Sequence, residues 1–303
     1  MTFPLVSVVI GSYNRRSFLK SALESVRNNK VNIPYEIIVV DGGSTDGSIQ
    51  YLAKQRDIIT IIQHNHGTWQ GKPIERKSWG YFMNLGFKCA QGKYILLISD
   101  DSLVIPGSIM KGYDLAENFL AQGRKIGAIA FYWRNWPDQD KYWVGLTLGD
   151  KMFVNHGMYL REAIERVGWV DEAHYNFYHA DGDLCLKLWH KGYEVVECPD
   201  AFVEHFSNAN VNVRKNNLER QKSDWDTYIN RWTGIYYDPK LDNTGYWIEL
   251  AFVDQHNTTS NFPRKEVALY LFRRGFYKVV SRLKSLKRLE KSIAGITKGL
   301  FKG

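Results

Sequence analysis

Four carboxylates and a histidine stand where a fold could gather them for chemistry: Asp41, Asp100, Asp101, Asp181 and His205. Asp100 and Asp101 end the apolar run Tyr94-Ile-Leu-Leu-Ile-Ser99. That run has the length and composition of a strand buried on both faces, and open α/β sheets bind ligands outside the carboxyl ends of such strands. Two adjacent negative charges at the lip of a dry sheet repel each other and are relieved by a shared cation. The competing reading is a helix cap, with Asp101 or Ser102 opening a helix after Pro106; on this stretch alone both stand. Asp41 follows a second buried run, Glu36-Ile-Ile-Val-Val40, where an acid can accept hydrogen bonds from a ribose or a base edge. Asp181 and Asp183 precede Leu184, Leu188 and Trp189, whose spacing predicts a helix. Carboxylates suit its positive N-terminal end with or without further chemistry. In isolation His205, at the end of Ala201-Phe-Val-Glu204, reads as a structural histidine.

The elements that must position these residues recur in a simple order. Val6–Ile10 reads as a strand, followed by the loop Gly11-Ser-Tyr-Asn-Arg-Arg16 and a helix capped by Ser17 with Phe18, Leu19, Ala22, Leu23 and Val26 on one face. The second strand ends in Asp41-Gly-Gly-Ser-Thr-Asp-Gly47, a helix spans about Ser48 to Lys54, and Ile58–Ile62 is a third strand. Trp79 to Ala90 reads as a helix leading into the central strand. Strand and helix alternating through short loops predict an α/β fold with a doubly wound, mostly parallel sheet and helices on both faces, and strand ends then bring Tyr13, Asp41 and Asp100 to one crevice. His64 and His66 lie in a loop where an i, i+2 pair is ordinary surface more often than a metal site. Lys72, Arg76 and Lys77 follow as solvated surface or as cations for a diphosphate. Further on, Gly127–Trp133 reads as a strand, Arg134–Tyr142 as an aromatic loop fit for an acceptor rim, Val144–Val154 as strand-like, and Arg161–Val167 as a helix.

Three cysteines without metal-ligand spacing argue against a disulfide framework and for a reducing compartment. No basic n-region precedes the first apolar stretch, which reads as a strand and not a signal peptide, and no run is long enough to span a bilayer. The expectation is a cytoplasmic protein. From residue 264 onward twelve Lys and Arg face two Glu, a surplus larger than the net +8 of the whole chain. The body is therefore slightly acidic and nucleic acid is not an expected partner. In the tail, Leu269, Phe272, Phe276, Val279, Leu283, Leu286, Leu289, Ile293, Ile296 and Leu300 recur at steps of three and four between cations. This predicts basic amphipathic helices that either pack on the body or lie peripherally on an anionic membrane face, the latter being the reading that residues 263–303 favour.

Taken together, Ser7-Val-Val-Ile-Gly-Ser-Tyr-Asn-Arg15, Ile38-Val-Val-Asp-Gly-Gly-Ser-Thr-Asp-Gly47, Asn84-Leu-Gly86 and Gly92-Lys-Tyr-Ile-Leu-Leu-Ile-Ser-Asp-Asp101 resemble, in order and spacing, the inverting glycosyltransferases of family 2. The resemblance spans about residues 5–233. It implies a GT-A fold over residues 1–235 with a helical extension over 236–303. It further implies transfer from a nucleotide-diphosphate sugar (UDP-, GDP- or dTDP-linked) to a glycan or lipid-linked acceptor, as in surface polysaccharide assembly. On this reading Ser12, Tyr13, Arg15, Asp41, Asn84 and Asp100 hold the nucleotide sugar, Asp101 and His205 hold Mg²⁺ or Mn²⁺, and Asp181 is the catalytic base. Three departures stand out: Gly11 replaces the usual Pro, Gly42 a second Asp, and Ala180 a Glu. Tyr228 takes the Gln position ahead of Arg231-Trp232, unlike the processive synthases. A sugar-phosphate nucleotidyltransferase and a non-catalytic membrane scaffold are the alternatives; the first lacks a convincing phosphate loop after the first strand, and the second leaves the acids without a use.

Overall fold

The computed structural model describes residues 3–207, 209, 217–241 and 244–276. The chain divides into two compact units, Met1–Ser260 and Asn261–Gly303. The first is built on one mixed sheet of eleven strands. Its parallel half runs β3 (Ile58–Ile62), β2 (Tyr35–Asp41), β1 (Val6–Ser12) and β6 (Tyr94–Ser99). The order reverses direction at β11 (Gly157–Leu160), which is antiparallel to both β6 and β8 (Ile126–Asn135). Beyond β8 lie β9 (Tyr142–Thr147) and β10 (Lys151–Met152) on one path, and β12 (Glu194–His205), parallel to β8 and antiparallel to β7 (Ser102–Val104). β13 (Trp247–Leu250) pairs with β9, and a separate two-stranded ribbon joins β4 (Thr68–Trp69) to β5 (Lys72–Pro73).

The parallel strands are apolar throughout because both faces are covered. Val8 and Ile10 alternate with Val9. The first two pack with Leu19, Leu23 and Val26 of α1 (Arg16–Arg27) and with Ile109 of α4 (Ser108–Ala121). Val9 packs on the other face with Phe82, Met83 and Phe87 of α3 (Trp79–Cys89) and with Leu184 and Leu188 of α6 (Ala180–His190). The remaining helices are α2 (Ser48–Leu52), α5 (Arg161–Arg166) and α7 (Gln221–Trp232).

Several expectations are revised by tertiary contacts. Ser17 does not cap α1; the Arg16 N–H donates instead to the Asp46 carboxylate from the loop after β2 (2.7 Å). Neither Asp101 nor Ser102 caps α4, whose N-cap is Gly107 in the left-handed region, where no Cβ penalty arises. The stretch 144–154 is not one strand: Leu148–Asp150 turns it so that β10 folds back on β9. The domain boundary falls after Ser260 and not at 235/236, since β13 is hydrogen-bonded into the main sheet. In the second unit a helix covers residues 264–276, with Leu269, Phe272 and Phe276 exposed. The predicted amphipathic pattern from residue 277 on lies outside the described residues. Among the described residues no helix is long and apolar enough to cross a membrane.

Gly86 shows how tightly α3 is seated. A Cβ there would lie 2.5 Å from Val9 Cγ1 and 3.1 Å from Val40 Cγ2. Alanine would gain up to about 1 kcal/mol of helix propensity, but forcing a methyl against core valines on two strands costs about 1–3 kcal/mol. Gly86→Ala is expected to lower the urea midpoint by a net loss of about 1 kcal/mol; a raised midpoint would show that the helix can lift off the sheet freely.

Candidate functional site

The carboxyl ends of β1, β6, β8 and β12 and the amino end of α6 surround two adjoining cavities. The first, about 190 Å³, is lined by Ser12, Tyr13, Arg15, Val40, Gly42, His66, Arg76, Lys77 and Asp100, among others. The second, about 340 Å³, is lined by Arg15, Ser99, Asp101, Trp133, Asn135, Asn155, His156, Tyr178, His179, Asp181 and His205, among others. Gly11, Arg15, Trp79, Met83, Ser99, Phe177 and Asn217 border both, so the two are halves of one depression.

Asp100 and Asp101 sit at the end of β6, almost fully buried. One nitrogen, Arg15 Nη1, donates to Asp100 Oδ1 and to Asp101 Oδ2, each at 2.8 Å, and Ser12 Oγ donates to Asp100 Oδ2 at 2.9 Å. Burial opposes ionisation of both acids. At Asp101 the Arg15 guanidinium outweighs it and holds the carboxyl well below the usual range. At Asp100 burial prevails over Arg15, the neighbouring Asp101 charge adds to it, and its pKa is raised. The Asp101 Oδ1 atom is buried without a hydrogen-bond partner and lies 3.4 Å from His205 Nε2. His205 Nδ1 is 2.8 Å from Asn135 Oδ1. A proton on Nδ1 satisfies that amide oxygen and turns the Nε2 lone pair toward Asp101.

Across the second cavity, Asp181 occupies the first turn of α6. Its Oδ1 accepts the Gly182 N–H at 2.9 Å and its Oδ2 faces Asn155 Nδ2 at 3.5 Å. Burial raises its pKa, and these two donors only partly oppose the rise. Asp183, by contrast, faces away from the cavity: it is buried and accepts from Tyr175, Arg231 and the Trp232 indole. The cluster Trp225, Tyr228, Arg231 and Trp232 is thus the buttress of α6, supplied by α7. Asp224, on the same helix and fully buried, accepts the backbone N–H groups of Asn176, Phe177 and Tyr178 and the Asn176 side-chain amide. It shapes the cavity wall. Its sequence signal, an acid four residues before Tyr228, is an ordinary helix-surface pattern that periodicity does not distinguish.

Two of the residues expected to hold the nucleotide, Asn84 and Asp41, do not line either cavity. Asn84 lines neither cavity; its amide is spent on the Val170 backbone in both directions and on Glu172, tying α3 to the loop before α6. Asp41 stands behind the wall formed by Val40 and Gly42: Oδ1 accepts the Gly43 and Ser44 N–H groups, while Oδ2 is buried and unpartnered. His66 stacks on Tyr13 with ring centroids 4.4 Å apart, and Arg76 and Lys77, both open to solvent, border the first cavity. Trp133, Asn135, Asn155 and His156 were not singled out from sequence, although Trp133 and Asn135 close a strand and the strand-end rule reaches them. Burial keeps the His156 imidazole neutral, with its pKa down to about 3. Among the described residues, five buried side-chain polar atoms lack a partner; three of them, Arg15 Nε, Asp101 Oδ1 and His156 Nδ1, belong to cavity-lining residues, and Asp41 Oδ2 lies just behind. Unpaired buried polar atoms are costly and rare, and their gathering here marks a place prepared for a polar ligand.

Comparison with known proteins fits this geometry. Residues 7–147 match the profile of Glycosyl transferase family 2. The chain is 27% identical over 234 residues to chondroitin synthase of Pasteurella multocida, covering 62% of this chain and 23% of that one. It is 29% identical over 221 residues to the uncharacterized glycosyltransferase YwdF of Bacillus subtilis, covering 68% and 76%. It is 28% identical over 117 residues to the poly(ribitol-phosphate) beta-glucosyltransferase of Bacillus spizizenii, covering 37% and 17%. The chain spans about a quarter or less of the length of the two relatives named for an activity. Among solved structures, S. aureus TarS superposes with a TM-score of 0.52 at 14% identity over 76% of this chain and 44% of that one, a likeness of fold. With those motifs on neighbouring strand ends of a GT-A sheet, residues 7–147 of the chain match glycosyl transferase family 2.

Proposed function

We propose that the protein transfers a glycosyl group from a nucleotide-diphosphate sugar to a hydroxyl of a glycan acceptor, with inversion at the anomeric carbon and with Mg²⁺ or Mn²⁺ as cofactor. The observation that carries this reading is that Asp101 and Asp181 line one cavity, with the first cavity, which Tyr13 and Asp100 line, adjoining it. The names of two relatives, a poly(ribitol-phosphate) beta-glucosyltransferase and a chondroitin synthase, support a polymeric acceptor.

The residues present fit a divalent cation. Asp101 Oδ1 is a buried, unpartnered carboxylate oxygen beside the oriented Nε2 of His205. Among the described residues no group of three His, Cys, Asp or Glu side chains could hold a metal ion by itself; Asp101 and His205 would hold the ion together with oxygens of the donor's diphosphate and water. When bound there, the ion offsets negative charge on the departing nucleoside diphosphate. Arg15 keeps the Asp100–Asp101 pair from carrying its full double charge. Asp181 Oδ2 removes the proton of the acceptor hydroxyl while that oxygen forms its bond to the anomeric carbon. The bond from that carbon to the diphosphate breaks on the opposite face, and its electron pair leaves with the diphosphate. Tyr13 and His66 offer a stacked surface to the nucleobase, and Arg76 and Lys77 offer positive charge.

Asp181→Asn is expected to lower kcat by about 10²–10⁴-fold while leaving nucleotide affinity within a factor of two or so, measured by calorimetry; near-normal turnover would remove Asp181 from the reaction. Because Asp181 works ionised and burial raises its pKa above that of a free aspartate, the rate should fall with decreasing pH along a limb displaced upward from the ordinary carboxylate range. Asn155→Ala, which deletes a donor to the charged form, should move that limb further up, and a limb that stays put would show that the amide does not bear on the base. For Asp101→Asn, titration of UDP and GDP with and without MnCl₂ should show the metal-dependent gain in affinity lost; a gain equal to wild type would place the ion elsewhere.

A further inference from the structure

A file of indoles begins in the wall of the second cavity on the β8 side. Trp133, 7% exposed, forms part of the cavity wall and meets His205 edge-on with ring centroids 5.5 Å apart. Trp143 lies directly opposite Trp133 in the β8–β9 pairing, with centroids at 4.0 Å. Trp247 of β13 stands diagonal to Trp143, since Glu249 is the residue paired with Trp143, and its ring lies 5.8 Å beyond. Residues two apart on a strand share a face and aromatic side chains reach diagonal neighbours, so the three rings form one row on one face of the sheet. Exposure rises along it, to 62% at Trp247, next to Tyr246 at 56%. Polar groups border the row: Gln139 Oε1 accepts the Trp143 indole N–H at 3.2 Å, and Lys141 pairs with Glu249 at 2.9 Å.

Core packing accounts for Trp133. It does not account for Trp247, which presents most of its surface to water at the outer end of the row. An interface with a second protein copy calls for a broad apolar patch, whereas this row is one ring wide with hydrogen-bonding groups alongside. That arrangement matches a chain of pyranose rings, whose axial C–H faces stack on indoles while the equatorial hydroxyls reach polar neighbours. We propose that Trp143 and Trp247 form an extended subsite that holds the acceptor glycan outside the cavity, so that the enzyme acts on a chain of several sugars in preference to a mono- or disaccharide. This rests on the glycosyltransferase reading for the identity of what enters the cavity. The row itself rests on Trp133, Trp143 and Trp247.

The test uses the full chain as wild type, Trp247→Ala and Trp247→Tyr. Each is titrated calorimetrically with two-ring and six-ring members of the chondroitin, cello-oligosaccharide and chito-oligosaccharide series. UDP and GDP with MnCl₂ are titrated on the same preparations. The expected result is that wild type binds at least one six-ring glycan several-fold more tightly than its two-ring counterpart. Trp247→Ala should weaken the six-ring glycan roughly tenfold, the size of loss expected for one aromatic contact, and leave the two-ring glycan unchanged. Trp247→Tyr, which restores a stacking face, should recover most of it, and nucleotide binding should be the same in all three proteins. The proposal is overturned if no six-ring glycan binds wild type, if length makes no difference, or if Trp247→Ala binds as wild type does. It is also overturned if Trp247→Ala instead dissociates a dimer seen by sedimentation. Failure of the catalytic reading would look different: wild type would then bind neither nucleotide, whatever the glycans do.

Discussion

Two carboxylates buried side by side at the end of a central strand are the constraint around which the site is arranged. Left alone, Asp100 and Asp101 would push each other toward protonation in a poorly solvated setting. One guanidinium, from the loop after β1, spans them, and a serine hydroxyl at the end of β1 donates to another oxygen. The β1 loop is therefore held against the β6 end by charge as well as by the strand pairing. Arg15 neutralises one charge and leaves Asp101 with an oxygen free. That remaining oxygen, facing the oriented imidazole of His205, is the feature that sets this pair apart from a structural ion pair in which every atom is satisfied.

The opposite wall depends on a second buried network whose two carboxylates do not face the cavity. Asp183 is locked by Arg231, Trp232 and Tyr175, and Asp224 gathers four N–H donors from the loop 176–178. Both networks run through α7, so one helix fixes the direction of α6 and the shape of the loop ahead of it. Asp181 and Asp183, two residues apart, are given opposite tasks by this packing: one carboxylate is fully engaged in joining helices, and the other keeps an oxygen toward the cavity with only a long contact to Asn155. Breaking a fully buried, hydrogen-bonded charge is expensive, which is how a rigid wall can support a base whose own hydrogen bonding is sparse.

The mixed sheet adds a geometric consequence. A purely parallel sheet would end the site at β6. Insertion of the antiparallel β11 carries the sheet on to β8, β9 and β13, and brings the ends of β8 and β12 to the same lip. Trp133, Asn135 and His205 thus come from two neighbouring parallel strands, with Asn135 and His205 at paired positions, so that one strand orients a side chain of the other.

How much of this was legible beforehand follows from what sequence encodes locally. Apolar runs of strand length, two of them closed by an acid, determined the parallel half of the sheet and put Asp100 and Asp101 at its edge, because side-chain alternation and burial are properties of a few consecutive residues. The motif order from Ser7 to Asp101 pointed to the family whose profile residues 7–147 match. Only the tertiary structure decided which acids face the cavity. Asp41 and Asn84 stand in the same series of motifs as Tyr13 and Asp101, yet the amide of Asn84 is consumed by the backbone at Val170, far away in sequence, and Asp41 sits behind the wall closing its own turn. Likewise Asp224, Asn135, Asn155 and the row from Trp133 to Trp247 gain their meaning from partners on other elements, and no short-range pattern records such contacts. Strand and helix are settled by neighbours along the chain, whereas the free oxygen, the oriented imidazole and the exposed indole are settled by neighbours in space.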